Sequence, residues 1–419
     1  MTLRGAGTLK TELVWAKQGL ANTEGRQHLA LIHGNNTLGG WALEDLSIIA
    51  PQNDHMSQYS GSAIVTDCAG DGPFVDGNWR GRKDADGLNE NATLCSGMRV
   101  SRVKITIDKV CKPGTAWPEE TAYTNSCGGY TKINASDPPI AMMAGVVAAV
   151  RVLGDNAVLE DSEIVHYGTC GSNVAFALEV NSARNVAVRR NTLHYGCTAY
   201  GFAASSNMIF EHNTLIPYKN ASGGGSNIQT FGKRQQMRRL WYTNNTQLLC
   251  PTSGAFCPPS HLETVTLDAG AGYFEGQAAV SADGLALTTA GTAAGGYQTT
   301  VHRADWRFAA VLLLTGTGAG QWRRGTLGTG TNDTWQLDTP FVTGTPAEDT
   351  FVVVTKDISE ILFVGNTWSH SHFQLYAECL DCVVAVRLSL SLSLSLSSQH
   401  LLHNIVLGLG GRLAYIVMA

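Results

Sequence analysis

A His-Tyr-Gly triplet occurs twice, at His166-Tyr167-Gly168 and His194-Tyr195-Gly196. Imidazole takes a proton near neutral pH and a phenol can return one, so each copy sets a general base beside a general acid. Elimination across a glycosidic bond needs such a base, plus a cation to neutralise the neighbouring carboxylate. Arg151 and Lys233 offer that charge, and Glu179 lies between them in the chain. The candidate catalytic residues are therefore His166, His194, Tyr195, Arg151, Glu179 and Lys233. Paired carboxylates, Glu179 with Glu211 or Asp155 with Asp161, would suit hydrolysis, their separation setting the stereochemistry. Against both stands a plainer reading, in which a repeating turn has been copied and its rings stack at the surface.

The triplets sit inside a larger repeat. Copies align on an Asn-Thr pair: VAVRRNTLHY from Val186, MIFEHNTLIPY from Met208, LWYTNNTQLL from Leu240 and ILFVGNTWSH from Ile361. AVLEDSEIVHY from Ala157 and WALEDLSIIA from Trp41 are weaker copies. Ser162, Asn191, Asn213 and Asn245 follow one another at spacings of 29, 22 and 32 residues. Each unit reads as a short apolar strand, a polar corner and a second short strand. A third strand is legible at 145–154, 173–182, 199–206, 227–234 and 372–381. Three short strands cannot bury their own inward side, so neighbouring units must stack to make a core.

The expected fold is all-β: a right-handed parallel β-helix, or solenoid, over 1–260, with long polar loops at 51–98 and 108–139. Residues 261–356 change to short strands between Gly, Thr and Ala turns and read as an inserted small β-domain; 357–386 return to the coil. Leu388 to Ser397 reads LSLSLSLSLS, which a CT dinucleotide repeat encodes in one frame. Residues 387–419 are accordingly expected to be a low-complexity tail outside the native fold, the competing reading being an amphipathic strand of period two. Alternation along the third strands puts Arg151, Glu179, Gln229, Lys233, Gln374 and Glu378 outward, beside a groove. A corner calls for left-handed backbone, which Asn tolerates, and stacked coils bring like amides together. Asn191, Asn213, Asn245 and Asn366 are thus read as a structural ladder.

Composition narrows the function classes. Charged residues make up 15% of the 419, Gly numbers 46, and the net charge is −5. No basic surplus exists to hold phosphates, so a nucleic-acid partner is not expected. The longest apolar run, 140–150, ends at Arg151 and is too short to span a bilayer. Ten cysteines and six N-x-[ST] sequons (at Asn35, Asn91, Asn134, Asn220, Asn244 and Asn332) favour an extracellular or cell-surface protein, although MTLRGAG is no signal peptide. An incomplete N-terminus would reconcile the two. Cys250 and Cys257 bracket a loop that a disulfide could close, and Cys379-Leu-Asp-Cys382 reads as packed or crosslinked cysteines rather than half a zinc site. DADGLNEN from Asp84 has its glycine too early for an EF-hand, and GTGAGQWRR from Gly316 lacks the Lys-Ser/Thr of a phosphate-binding loop.

The opening TLRGAGTLKTELVW, a glycine-rich corner before a Thr and an apolar strand, and the repeated V-x-x-x-N-T-L coils resemble the pectin-lyase-like superfamily of right-handed parallel β-helix proteins. The resemblance covers roughly half the chain: 1–50, 98–107, 141–250 and 357–385. It implies an extracellular protein that processes or binds polysaccharide, a lyase- or hydrolase-like module on acidic glycans, with Ca2+ as the one ion the family suggests and no cofactor evident. The alternative is a non-catalytic surface or adhesion scaffold. The Arg-x-Pro-x-x-Arg pattern of pectate lyases is missing, as are the Asn-Thr-Asp, Asp-Asp, Gly-His-Gly and Arg-Ile-Lys elements of polygalacturonases. No catalytic residue of those enzymes therefore carries over.

Overall fold

The computed structural model describes residues 1–14, 30–35, 40–52, 62–67, 97–109, 148–166, 176–181, 183–195, 198–217, 226–229, 236–248, 263–268, 274–289, 308–316, 318–328, 334–341, 350–355, 357–369, 371–375, 379–386, 392–396, 405–409 and 412–416. All regular structure among them is strand. Each turn of the chain lays down three strands: Ala148–Leu153, Val158–Glu160 and Glu163–His166; then Phe176–Asn181, Arg184–Arg189 and Thr192–Tyr195; then Thr198–Ala203, Ser206–Glu211 and Thr214–Pro217. Equivalent strands of successive turns pair in parallel and in register. The result is a β-helix-like stack with three faces.

Face one holds Val158–Glu160, Arg184–Arg189, Ser206–Glu211, Gln236–Thr243, the first part of Asp357–Ser369 and Val383–Val386. Face two holds Glu163–His166, Thr192–Tyr195, Thr214–Pro217, Thr246–Leu248 and the second part of Asp357–Ser369. Trp41–Gln52 and Met98–Lys109 are long enough to run through both faces, bending at Asp45 and Arg102. Face three stacks Ala30–Asn35, Ser62–Asp67, Ala148–Leu153, Phe176–Asn181, Thr198–Ala203, Ser226–Gln229, Glu263–Asp268, Ser371–Leu375 and Leu392–Leu396.

Strand periodicity of two explains the interior. Alternate residues Val150 and Val152, Leu178 and Val180, Tyr200 and Phe202, and Ile228 enter one core with Val186, Val188, Met208, Phe210, Leu240, Tyr242, Leu193 and Leu215. No single turn could exclude water from these side chains, whereas stacked turns do. The aromatic members form a continuous column, with ring centroids 5.0 Å apart for Tyr200 and Phe210, 4.9 Å for Phe210 and Tyr242, and 5.3 Å for Tyr242 and Phe363.

Between two coils the chain makes a closed six-stranded antiparallel barrel, in the order Phe274–Val280, Ala286–Thr289, Thr334–Leu337, Trp322–Leu327, Phe308–Leu313 and Thr350–Thr355, which pairs back to the first. Its own core contains Phe274, Leu287, Val311, Leu313, Trp335, Val352 and Val354. Ala310, Leu312 and Val353 have the opposite parity yet are also buried, so part of the barrel's outside is covered. Glu263–Asp268 pairs with face three on both sides. The coil thus continues past residue 261, and the barrel strands begin at Phe274.

Two other segments differ from expectation or refine it. Leu392–Leu396, within the serine-leucine repeat, is a strand paired in parallel with Ser371–Leu375, and Ile405–Leu409 pairs with Val383–Val386. The period-two alternation suits that extended pairing, so 387–419 contributes strands to the stack instead of lying wholly outside it. Cys379 and Cys382 are buried and joined by a disulfide across a corner, with Cα atoms 5.8 Å apart. The Cys250–Cys257 loop and the Asp84 to Asn91 segment lie outside the described residues.

Candidate functional site

The Asn-Thr repeat builds the corner between faces one and two. The Asn191 side-chain amide donates to Asn213 Oδ1 at 3.1 Å, Asn213 to Asn245 at 3.1 Å, and Asn245 to Asn366 at 3.1 Å. Each Oδ1 also accepts the backbone N–H of the ladder residue one turn earlier, at 2.8 to 3.0 Å, beginning with Ser162. Each Nδ2 bonds a strand carbonyl too: Leu159, Val188, Phe210 and Tyr242. All four asparagines are buried, and their polar groups are consumed by structure.

The left-handed backbone is one residue earlier than the ladder asparagines. Asp45, Arg102, Asp161, Arg190, His212, Asn244 and Gly365 form one row at φ between 51° and 70°. The corner before face one behaves alike, with Asn156, Asn185, Asn207, Arg239 and Glu360 at φ between 54° and 58°. Here Asn185 donates to Asn156 at 3.1 Å and Asn207 to Asn185 at 3.2 Å.

The five sequence-derived site residues that the structure describes do not converge on one site, being divided between faces two and three. His166 stands opposite Tyr195 in the parallel register, and His194 stands opposite Val165. The triplets recur 28 residues apart (166 to 194), whereas the coils align 29 apart, as Ser162 and Asn191 do. That single-residue slip turns the two imidazoles to opposite sides of face two. His166 and Tyr195 are buried, while His194 is partly exposed with Nε2 3.6 Å from Glu163. Burial pushes the Tyr195 phenol far up, with nearby Gln247 only partly opposing the shift. Partial burial lowers the His194 pKa, aided by Lys104 and opposed by Glu163. Arg151 and Glu179 do meet, opposite one another on adjacent strands of face three, with Nε to Oε2 at 2.6 Å. Their parity is outward from the core, as alternation predicts, yet both are buried, and each neutralises the other. Lys233 lies outside the described residues. Of the alternative carboxylates, Asp155 is bonded to Arg184 and Asp161 to Arg190.

Face one holds what the sequence reading passed over. Its outward positions form two rows. The first runs Val158, Ala187, Ile209, Trp241, Leu362 and Val383. Trp241 is 57% exposed, Ile209 is also exposed, and the others are partly so. The second runs Ser101, Glu160, Arg189, Glu211 and Thr243. Trp241 escapes notice because Leu240-Trp241-Tyr242 looks uniformly apolar; only the inward parity of Leu240 and Tyr242 reveals that the indole points out.

Glu160 organises the charges of this face. Arg99, Arg189 and Arg190 all bond its carboxylate, at 2.7, 2.9 and 3.1 Å. Burial pushes Glu160 upward, and the bonds from Arg189 and Arg99 outweigh it, holding the group below its ordinary range. Arg190 holds Asp161 low in the same way. At the other end, Arg239 bonds Glu360 at 3.0 Å, and the barrel's Arg324 bonds Glu360 at 2.8 Å and buried Asp357 at 3.0 Å. Trp322 Nε1 of the barrel donates to Asp381 at 3.2 Å. These bonds fix the barrel strand Trp322–Leu327 against the corner that borders the Trp241 row. Among the described residues no three His, Cys, Asp or Glu side chains converge to hold a metal.

No known protein family and no curated protein matches this chain.

Proposed function

We propose that this is a right-handed parallel β-helix protein of the pectin-lyase-like kind, working outside the cell, that binds polysaccharide on face one. Short parallel connections favour the right-handed coil, and the buried Cys379–Cys382 disulfide fits an oxidising compartment. One observation carries the functional reading: an exposed tryptophan in the middle of an otherwise small apolar row, bordered on both sides by rows of hydrogen-bonding side chains. Sugars present C–H surfaces to apolar and aromatic groups and hydroxyls to polar ones, so a flat row of this composition complements them. The reading is binding rather than turnover, because Arg151 and Glu179 hold each other and the Tyr195 phenol is committed to the interior.

Affinity electrophoresis through gels cast with acidic and with neutral polysaccharides tests this. Retarded migration in at least one gel is expected, and unchanged migration across a broad panel overturns the reading.

A further inference from the structure

We infer that the ligand of the Trp241 face is an uncharged, linear glycan lying across the strands, along the stack. This rests on the polysaccharide reading above and adds charge class, length and direction.

Charge class follows from how the face is already neutralised. Among the described residues bordering the apolar row, four guanidiniums are balanced by four carboxylates: Arg99, Arg189 and Arg190 bond Glu160 within 3.1 Å, Arg190 also bonds Asp161, Arg239 bonds Glu360, and Glu211 stands opposite Arg189 on the next strand. A uronate or sulfate would compete with an internal carboxylate held in place by three guanidiniums. Such an anion meets guanidiniums already balanced by carboxylates, so it gains little net attraction from the face. Hydroxyl groups face no such competition. The corner amides of Asn185 and Asn207 each have a second N–H beyond their ladder bond, and Thr243 and Glu211 add hydroxyl and carboxylate oxygens on the other side.

Direction and length follow from the rows. Along a strand only two outward residues occur before the left-handed corner, for example Ile209 and Glu211 before His212, a reach of roughly 7 Å. Across the strands the apolar row runs from Val158 to Val383 over six strands, about 24 Å at the usual spacing. Only an oligosaccharide laid in that second direction covers the row and keeps both polar borders within reach.

Calorimetric titration of the full chain with neutral β-linked glucan, xylan and mannan oligosaccharides, and with oligogalacturonate, tests the inference. At least one neutral series is expected to tighten about tenfold or more from disaccharide to hexasaccharide. Its affinity should change less than about twofold between ~0.05 and ~0.5 M salt. Trp241→Ala should weaken it about tenfold or more, and Trp241→Tyr should restore most of the loss. Preferential, salt-sensitive binding of oligogalacturonate overturns the charge class, and neutral binding that survives Trp241→Ala overturns the location. Both of those outcomes leave polysaccharide binding standing; failure of every glycan, acidic or neutral, removes both proposals together.

Discussion

On face three Arg151 and Glu179 stand opposite one another, 1% and 0% exposed, bonded at 2.6 Å. On face one Arg99, Arg189 and Arg190 crowd round Glu160 while 55%, 38% and 47% of their side-chain surface stays in contact with water. Both arrangements use the same device, since parallel register places opposite charges one strand apart. Their energetics are opposite. A charge sealed away with its partner has nowhere to go when that partner is removed, whereas an exposed guanidinium rehydrates. Face three spends its charges on holding the coil together, and face one keeps its arginines at the surface while cancelling their field.

Mutations can break that contrast. Glu179→Ala strands the Arg151 guanidinium in the interior and is expected to lower unfolding free energy by about 3–5 kcal/mol, read from urea denaturation. Asn213→Ala, in the corner between faces one and two, removes one bond each from the Asn191 amide, the Asn191 backbone N–H and the Val188 carbonyl. A loss of about 2–3 kcal/mol is expected, with increased hydrogen exchange at Asn191 as its local signature. Glu160→Gln should cost about 1 kcal/mol or less, because its three arginines remain hydrated. If Glu160→Gln proved as damaging as Glu179→Ala, the contrast between the faces would fail.

Acid titration sharpens the same point. Glu160 and Asp161 have folded-state values held below their ordinary 4.5 and 3.8. Their contribution to stability is complete above those ordinary values and declines as pH falls through the depressed folded ones. His194, lowered from 6.5, works in the same direction at higher pH. The unfolded chain takes up the proton first, so stability falls as pH drops below about 6.5 and levels off beneath the folded value. Unfolding midpoints measured in Glu160→Gln should show a shallower decline below pH 4.5 than the parent.

How much of this was legible depended on whether one residue type served one purpose. The ladder positions Asn191, Asn213, Asn245 and Asn366 could be read because a buried amide that must give and take bonds at once admits few substitutes. The left-handed position before them could not, since Arg190, His212, Asn244 and Gly365 share no chemistry, only a backbone angle. The histidine triplets misled for the opposite reason. They repeat in sequence, but a slip of one residue against the coil period separates them across a sheet. Parity predicted that Arg151 and Glu179 face outward, yet it carries no information on whether something covers that side. Trp241 was hidden among apolar neighbours whose own parity had to be known first.

The barrel's first and last strands are partners, with Phe274 opposite Val354. The chain therefore leaves the stack and returns to it at nearly the same point, and the ladder step it interrupts, Asn245 to Asn366, keeps its 3.1 Å bond despite spanning 121 residues against 32 for the step before. About two doublings of loop length cost only ~1 kcal/mol in closure entropy. To the coil this junction is a socket: a different module with adjacent ends could be grafted in place of 274–355, provided it supplied substitutes for the Arg324 and Trp322 bonds at the corner.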